Sequence, residues 1–272
     1  MADFSSASSA SGYVRVRSDR PVSALEFFGS TDKLAALRAV SPGTDARLYF
    51  PHFAVNGGFS TKIGIVNGGP QPADVILSAM SSEGRLISDP VSKRLAAGAQ
   101  MLESVANLFG LPSGPLTTGY IVAKGSHGGL TGFTSFVFED ASASSAAAVP
   151  ADSVPAQSLA FSHVAHQVPA GAGRTYQTGI ALLNPFGSDV SYAMRVFDGD
   201  GRLLAEKSDV LAPGEKTARL LSHPAPGAGF FTQSLVMAGG HVEVTSDLGL
   251  LGFELFFTED LSQLASVPAQ NP

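Results

Sequence analysis

The sequence predicts an all-β fold: two tandem antiparallel β-sandwich modules plus an N-terminal β-hairpin that is a fragment of the same repeat. Three observations carry this. Apolar residues alternate at period two, as Val14 and Val16 do around Arg15, and Val242 and Val244 around Glu243, so one face of each run meets a core and the other meets water. Gly and Pro punctuate these runs every ~8–12 residues, the spacing of short sandwich strands. One passage also returns three times.

The first copy of that passage is Gly12-Tyr13-Val14-Arg15-Val16-Arg17-Ser18 with Leu25-Glu26-Phe27-Phe28. The second is Gly119-Tyr120-Ile121-Val122-Ala123-Lys124-Gly125-Ser126 with Gly132-Phe133, and the third is Gly240-His241-Val242-Glu243-Val244-Thr245-Ser246 with Gly252-Phe253-Glu254-Leu255-Phe256-Phe257. Each ends in an Ala-rich tail, at residues 34–39, 146–151 and 264–269. Only the second and third copies are preceded by the rest of a unit. A repeat means modules, and an orphan piece of one means an edge that something must cover.

Within the first unit, Leu48-Tyr49-Phe50-Pro51-His52-Phe53-Ala54 reads as a strand, followed by a Gly57-Gly58 turn and a strand from Phe59 to Asn67. Leu159-Ala160-Phe161-Ser162-His163-Val164-Ala165 and the run from Tyr176 to Asn184 repeat them, with extra residues in the turn at 169–174, where loops accept insertion. The runs Val75 to Met80 and Tyr192 to Phe197 follow, each closed by an acid-Gly pair, Glu83-Gly84 or Asp200-Gly201. Such a pair between alternating runs signals a hairpin, because the turn needs positive φ. Leu95 to Gln100 matches Leu211 to Lys216, a turn leading into a further strand. The helical candidates are residues 101–109 and, more weakly, 219–223. Residues 140–157, rich in Ala and Ser with Pro150 and Pro155, read as a linker. The division expected is a disordered or extended tail at 1–11, an orphan repeat hairpin at 12–40 and modules at 46–149 and 158–269.

The Phe50-Pro51-His52-Phe53-Ala54, Gly57-Gly58-Phe59-Ser60-Thr61 and Ile65-Val66-Asn67 series resembles a β-sandwich repeat found in tandem in large secreted bacterial proteins, with a layout similar to immunoglobulin-like modules. The resemblance implies an extracellular or surface setting and no specific activity. The second copy departs from it, with Ser162 for Pro51 and Tyr176 for Phe59.

The chain has 272 residues, 44% hydrophobic and 15% charged, with a formal net charge of -6 and no cysteine. That balance supplies ample core, no basic face for nucleic acid and no polybasic membrane patch. Disulfides and thiolate chemistry are excluded. No window reaches the ~18 apolar residues of a membrane span. The start, Met1-Ala2-Asp3-Phe4-Ser5-Ser6, lacks the basic and apolar regions of a signal peptide. Opening inside a repeat leads to the expectation of a segment of an exported protein, placed outside the cell or on its surface.

No catalytic, cofactor or metal residue is assigned. His52 and His163 occupy equivalent positions but each stands alone, so a histidine satisfied by a neighbouring backbone group is expected rather than a ligand. His163 and His166 are three apart, on opposite faces of a strand. Asp198 and Asp200 resemble the opening of a calcium loop, with Asp189 nearby, yet Glu206 falls one residue short of the register such a loop needs. A plain hairpin turn is expected there, with calcium as the one cofactor candidate. Gly125-Ser126-His127-Gly128-Gly129 lacks nucleophile-elbow spacing, and the Glu139-Asp140 and Glu259-Asp260 pairs sit at strand ends.

The function expected is a non-enzymatic structural or interaction protein. Its candidate assembly element is the N-terminal hairpin, with Tyr13, Val14, Val16, Leu25, Phe27 and Phe28. Such a hairpin is not stable alone in water. Three placements are open to it: packing on the first module, completing that module by a permuted strand order, or inserting into a neighbouring chain by strand exchange. The partner expected is the chain itself or an extracellular protein or glycan, with no nucleic acid and no membrane insertion. The alternative is an adhesive or glycan-binding module using the 169–174 insertion and the 125–129 tip.

Overall fold

The computed structural model describes residues 12–30 and 33–271; the tail expected at 1–11 lies outside them. Strands β1 (Leu25–Gly29) and β2 (Leu34–Arg38) pair antiparallel, from Leu25 against Arg38 to Gly29 against Leu34. Both strands lie in the later part of the 12–40 segment where the hairpin was expected. Residues 12–18 form no strand at all.

The first module runs through β3 (Arg47–Val55), β4 (Phe59–Asn67), β5 (Ala73–Met80), β6 (Val91–Leu95), β7 (Gln100–Ser104), α1 (Val105–Phe109), β8 (Thr117–Gly125), β9 (Leu130–Glu139) and β10 (Ser144–Pro150). Two four-stranded sheets result, in the orders β3-β8-β5-β6 and β10-β9-β4-β7. Alternation explains how they face each other. In β5, Ala73, Val75, Leu77 and Ala79 are buried, while Asp74 and Ile76 are exposed. The core they enter holds Phe50, Phe53, Ile63, Ile65 and Ile121, all without solvent exposure, each burial stabilising by ~1.5–3 kcal/mol.

The second module follows through β11 (Ala156–Phe161), β12 (Ala165–His166), β13 (Val168–Gly171), β14 (Arg174–Leu183), β15 (Val190–Phe197), β16 (Leu203–Leu211), β17 (Lys216–Ser222), β18 (Gly229–Phe231), β19 (Met237–Ala238), β20 (His241–Thr258) and β21 (Leu264–Pro268). Its sheets repeat those of the first module. The first half of β20 pairs with β11 and β15, which carries β16; the second half pairs with β21 and β14, which carries β17. Register agrees residue by residue. Phe50 opposes Ile121 and Phe161 opposes Val242; Ile63 opposes Thr134 and Ile180 opposes Glu254. Where the first module crosses between sheets by the turn from Gly125 to Leu130, the second does so inside one 18-residue strand, at Gly249 with φ +112°. A separate core forms around Phe161, Leu182, Met194 and Val196.

Two expectations need correction. Residues 140–157 contain an edge strand, β10, because alanines small enough for close packing let that strand lie against β2 on one side and β21 on the other. Of residues 101–109 only Val105–Phe109 is helical, and 219–223 belongs largely to β17. Met101 and its neighbours pair with β4 instead, since an open sheet edge offers more hydrogen bonds than one helical turn. The short helix is held by burying Val105, Leu108 and Phe109 and ends at Gly110, with φ +61°.

Candidate functional site: the inter-module seam

Two asparagines end the equivalent strands β4 and β14, and both are fully buried. Asn67 Nδ2 donates to the carbonyls of Gln71, Leu95 and Ala96 at 2.7–3.2 Å, and its Oδ1 accepts from Gly69 N. Asn184 does the same with Ser188, Leu211 and Ala212 at 2.8–3.0 Å, and accepts from Phe186 N. Only a primary amide carries both donors and an acceptor at that length. Each asparagine thus pins the turn leading into the strand that pairs with its own, β7 in the first module and β17 in the second. In the second module that turn is Pro213-Gly214, and it presents Lys216 to the first module.

Lys216 is 3% exposed. Its Nζ donates to His52 Nδ1 at 2.7 Å and to Gly119 O at 2.9 Å, both in the first module. Burial lowers its pKa to about 7. His52 is partly buried against the rings of Phe136 and Phe253, with centroids at 5.4 and 5.6 Å. Burial first, and the lysine second, hold its pKa well below the ordinary value. The sequence pointed to a backbone partner for this histidine; a lysine from the other module takes that place. Lys216 N also donates to Ser82 O at 2.8 Å, and Tyr120 Oη donates to Gly214 O at 2.8 Å. Phe136, Ala147 and Val149 pack on Ala181 and Phe253 to complete the seam.

The N-terminal segment meets the first module by part of the same set of contacts. Tyr13 Oη donates to Gly98 O at 3.1 Å, and Gly98 is the equivalent of Gly214. Arg15 donates to Gly68 O at 3.2 Å, where the seam has Tyr49 donating to Pro185 O at 3.4 Å. Phe28, Ala35 and Leu37 pack on Phe133, Ala146 and Ala148. Register makes the two trios equivalent, since Phe28 opposes Ala35 as Phe136 opposes Ala147. An ion pair, Lys33 Nζ to Glu139 at 2.6 Å, closes the hairpin's outer edge. Of the residues singled out in the sequence, Tyr13 and Phe28 make the contact; Val14, Val16 and Leu25 are exposed, and Phe27, 63% exposed, borders a small pocket with Ala146, Ala147 and Ala265.

Other polar groups lie apart from the seam. His166 and Ser222 are fully buried, with Nε2 3.0 Å from Ser222 Oγ. Nδ1 accepts from Thr178 N at 3.1 Å, and Nε2 lies 3.2 Å from Ser222 N and 3.1 Å from Ser222 O, so backbone groups engage both ring nitrogens. His163 is exposed and packs on Phe256, 5.2 Å between centroids. Asp198 Oδ1 accepts from Asp200 N and Arg202 N, closing the acid-Gly turn. Among the described residues no three His, Cys, Asp or Glu converge as a metal site would require, and no helix is long and apolar enough to cross a membrane. Glu139 ends β9 and Asp260 lies in the turn after β20.

Glu254 has no counterpart in the sequence reading. It is fully buried, neither carboxyl oxygen has a hydrogen-bond partner, and burial raises its pKa to about 9. It shares a strand face with Gly252, which Leu159, Phe161 and Leu182 cover. The equivalent Thr134 also buries an unpartnered hydroxyl. A cleft of about 440 Å³ runs beside the seam, with Arg38 and Asp152 its ionisable lining residues. Its wall includes Pro51 but neither His52 nor Lys216, so the lowered lysine does not open into it.

No protein-family model matches the chain, and no curated protein matches its sequence. Similar solved structures include a β-glucuronidase 2 of Bacteroides uniformis bound to a cyclophellitol-6-carboxylate aziridine, 8% identical over 79% of this chain and 25% of that one, with a TM-score of 0.17. A family 2 glycosyl hydrolase of Bacteroides cellulosilyticus is 12% identical over 80% and 27%, with a TM-score of 0.16. A further family 2 β-glucuronidase is 10% identical over 81% and 23%, at 0.19. The chain spans about a quarter of the length of these enzymes. Likenesses of this size say nothing about activity; the β-sandwich is established by the sheets described above.

Proposed function

We propose that this chain is a non-enzymatic structural or interaction protein whose sandwich modules stack through a repeated seam, set outside the cell or on its surface. One observation supports the reading above the rest: the hairpin-to-module contact and the module-to-module contact use equivalent residues at equivalent positions. A contact made twice with the same parts suits a spacer whose units keep a fixed relative orientation. Its most polarised groups, Lys216 and His52, are consumed in that contact rather than turned to a substrate. Small-angle scattering tests this. Wild type should give a single fixed inter-module distance, and Lys216→Glu, which buries an acid against Gly119 O, should lengthen and broaden it. An unchanged profile for a folded K216E chain would remove the stacking role.

The adhesive alternative draws on the 169–174 insertion. It forms the β13–β14 ribbon, with Gly171, Ala172 and Gly173 exposed at its tip and Arg174 anchored to Ser262 Oγ at 2.7 Å. Glycan-array binding abolished by deleting that tip would favour this second reading.

A further inference from the structure

The trio that makes each contact occurs a third time. Phe256 opposes Ala265 in β20 and β21 as Phe136 opposes Ala147 and Phe28 opposes Ala35, and Val267 follows in the place of Val149 and Leu37. The histidine recurs beside it, since His163 packs on Phe256 as His52 packs on Phe136. Burial is what differs. Phe136, Ala147 and Val149 are each 1% exposed beneath the second module, whereas Ala265 and His163 are exposed and Phe256 and Val267 only partly covered.

We propose that this C-terminal surface docks on the outer face of the first module of a second copy of the chain, in the place that copy's own N-terminal hairpin occupies. The internal seam identifies the occupant. A surface of this composition takes the outer face of a module: the face of Phe253, Ala181 and Leu264 in one case, of Phe133, Ala146 and Ala148 in the other. In this chain the second module's outer face is already covered by the first. Among the described residues the first module's outer face is covered by the N-terminal segment, through Tyr13, Arg15 and the β1–β2 ribbon, which has no sheet hydrogen bonds to its host and leaves Phe27 63% exposed. In the docked pair, Gln100 of the receiving copy, at the position of Lys216, faces His163.

Donor and receptor surfaces differ, so the contact is heterologous and propagates head to tail. The hairpin is then an internal competitor, and apparent affinity falls by the fraction of time that it is seated. This inference rests on the stacked-module reading, since it borrows that seam.

Sedimentation velocity on the full chain tests it. In F28D/L37D two carboxylates face Phe133 and cannot remain buried there, so the hairpin lifts. Oligomers should then grow with concentration, with an association constant at least about tenfold above wild type, and adding Ala265→Arg should return the chain to monomer. Should near-UV dichroism show that F28D/L37D has lost its fold, Lys33→Glu, which sets an acid against Glu139, loosens the hairpin without touching the core. A folded, hairpin-released chain that stays monomeric, or association that survives Ala265→Arg, would overturn the inference. Either outcome leaves the internal seam, and the scattering test of it, standing.

Discussion

Tyr13 and Tyr120 make one bond twice. Each sits one residue after a glycine in the recurring passage, and each donates its hydroxyl to the glycine carbonyl of the next module's turn, Gly98 or Gly214. In these two copies the passage supplies the tyrosine that reaches the following module's turn; the third copy has His241 at that position. Tyr120 is 3% exposed and Tyr13 39%, so the two bonds differ in how much water competes for them.

Tyr120→Phe should accordingly destabilise the chain by ~1 kcal/mol, the ordinary worth of one buried hydrogen bond, with Gly214 O left unpaired. Tyr13→Phe should leave global stability unchanged and speed tryptic cleavage after Lys33. Urea denaturation and a timed digest check the pair.

The two buried ionisable groups should give opposing pH dependences. Lys216 has a folded pKa of about 7 against 10.5 unfolded; the unfolded chain binds that proton more readily, so its effect on stability rises as pH climbs between those values. Glu254 has about 9 against 4.5; the folded chain keeps that proton, so its contribution is lost as pH rises from 4.5 to 9. Between about pH 7 and 9 they oppose each other. K216M should therefore lose stability with rising pH across that window, and E254Q should gain it, by up to ~1.4 kcal/mol per pH unit. Parallel slopes in the two variants would contradict these assignments. His52 adds a loss of stability below pH 6.5 in wild type.

Asn67→Ala and Asn184→Ala should each cost about 2–4 kcal/mol, because a buried carbonyl, Leu95 O or Leu211 O, and two part-buried ones lose their donor. Each module has its own core, so hydrogen exchange should accelerate mainly in the module carrying the change. In N184A the seam should loosen as well, since the Pro213-Gly214 turn positions Lys216.

Much of this was legible beforehand, for identifiable reasons. Alternation of Val190, Tyr192, Met194 and Val196 declared a half-buried strand, and glycines at Gly84 and Gly201 declared turns that do have positive φ, +74° and +80°. Residues 12–18 read as a strand because Val14 and Val16 alternate like one. They correspond to β8, which is a strand by virtue of β3 and β5 on either side; the N-terminal fragment lacks both neighbours. Lys216 was hidden because a lysine after Pro213-Gly214-Glu215 reads as a solvated turn, and only the other module buries it. Glu254 left a trace, a lone acid inside the apolar run from Leu250 to Phe257.

The central claim is that β1 and β2 sit on the first module as the first module sits on the second. Hydrogen exchange of the full chain carrying Leu37→Asp tests it most directly. The account predicts faster exchange in β10, the edge strand that the hairpin covers, with β14 and β15 unchanged. Unaltered protection of β10 in that variant would contradict it.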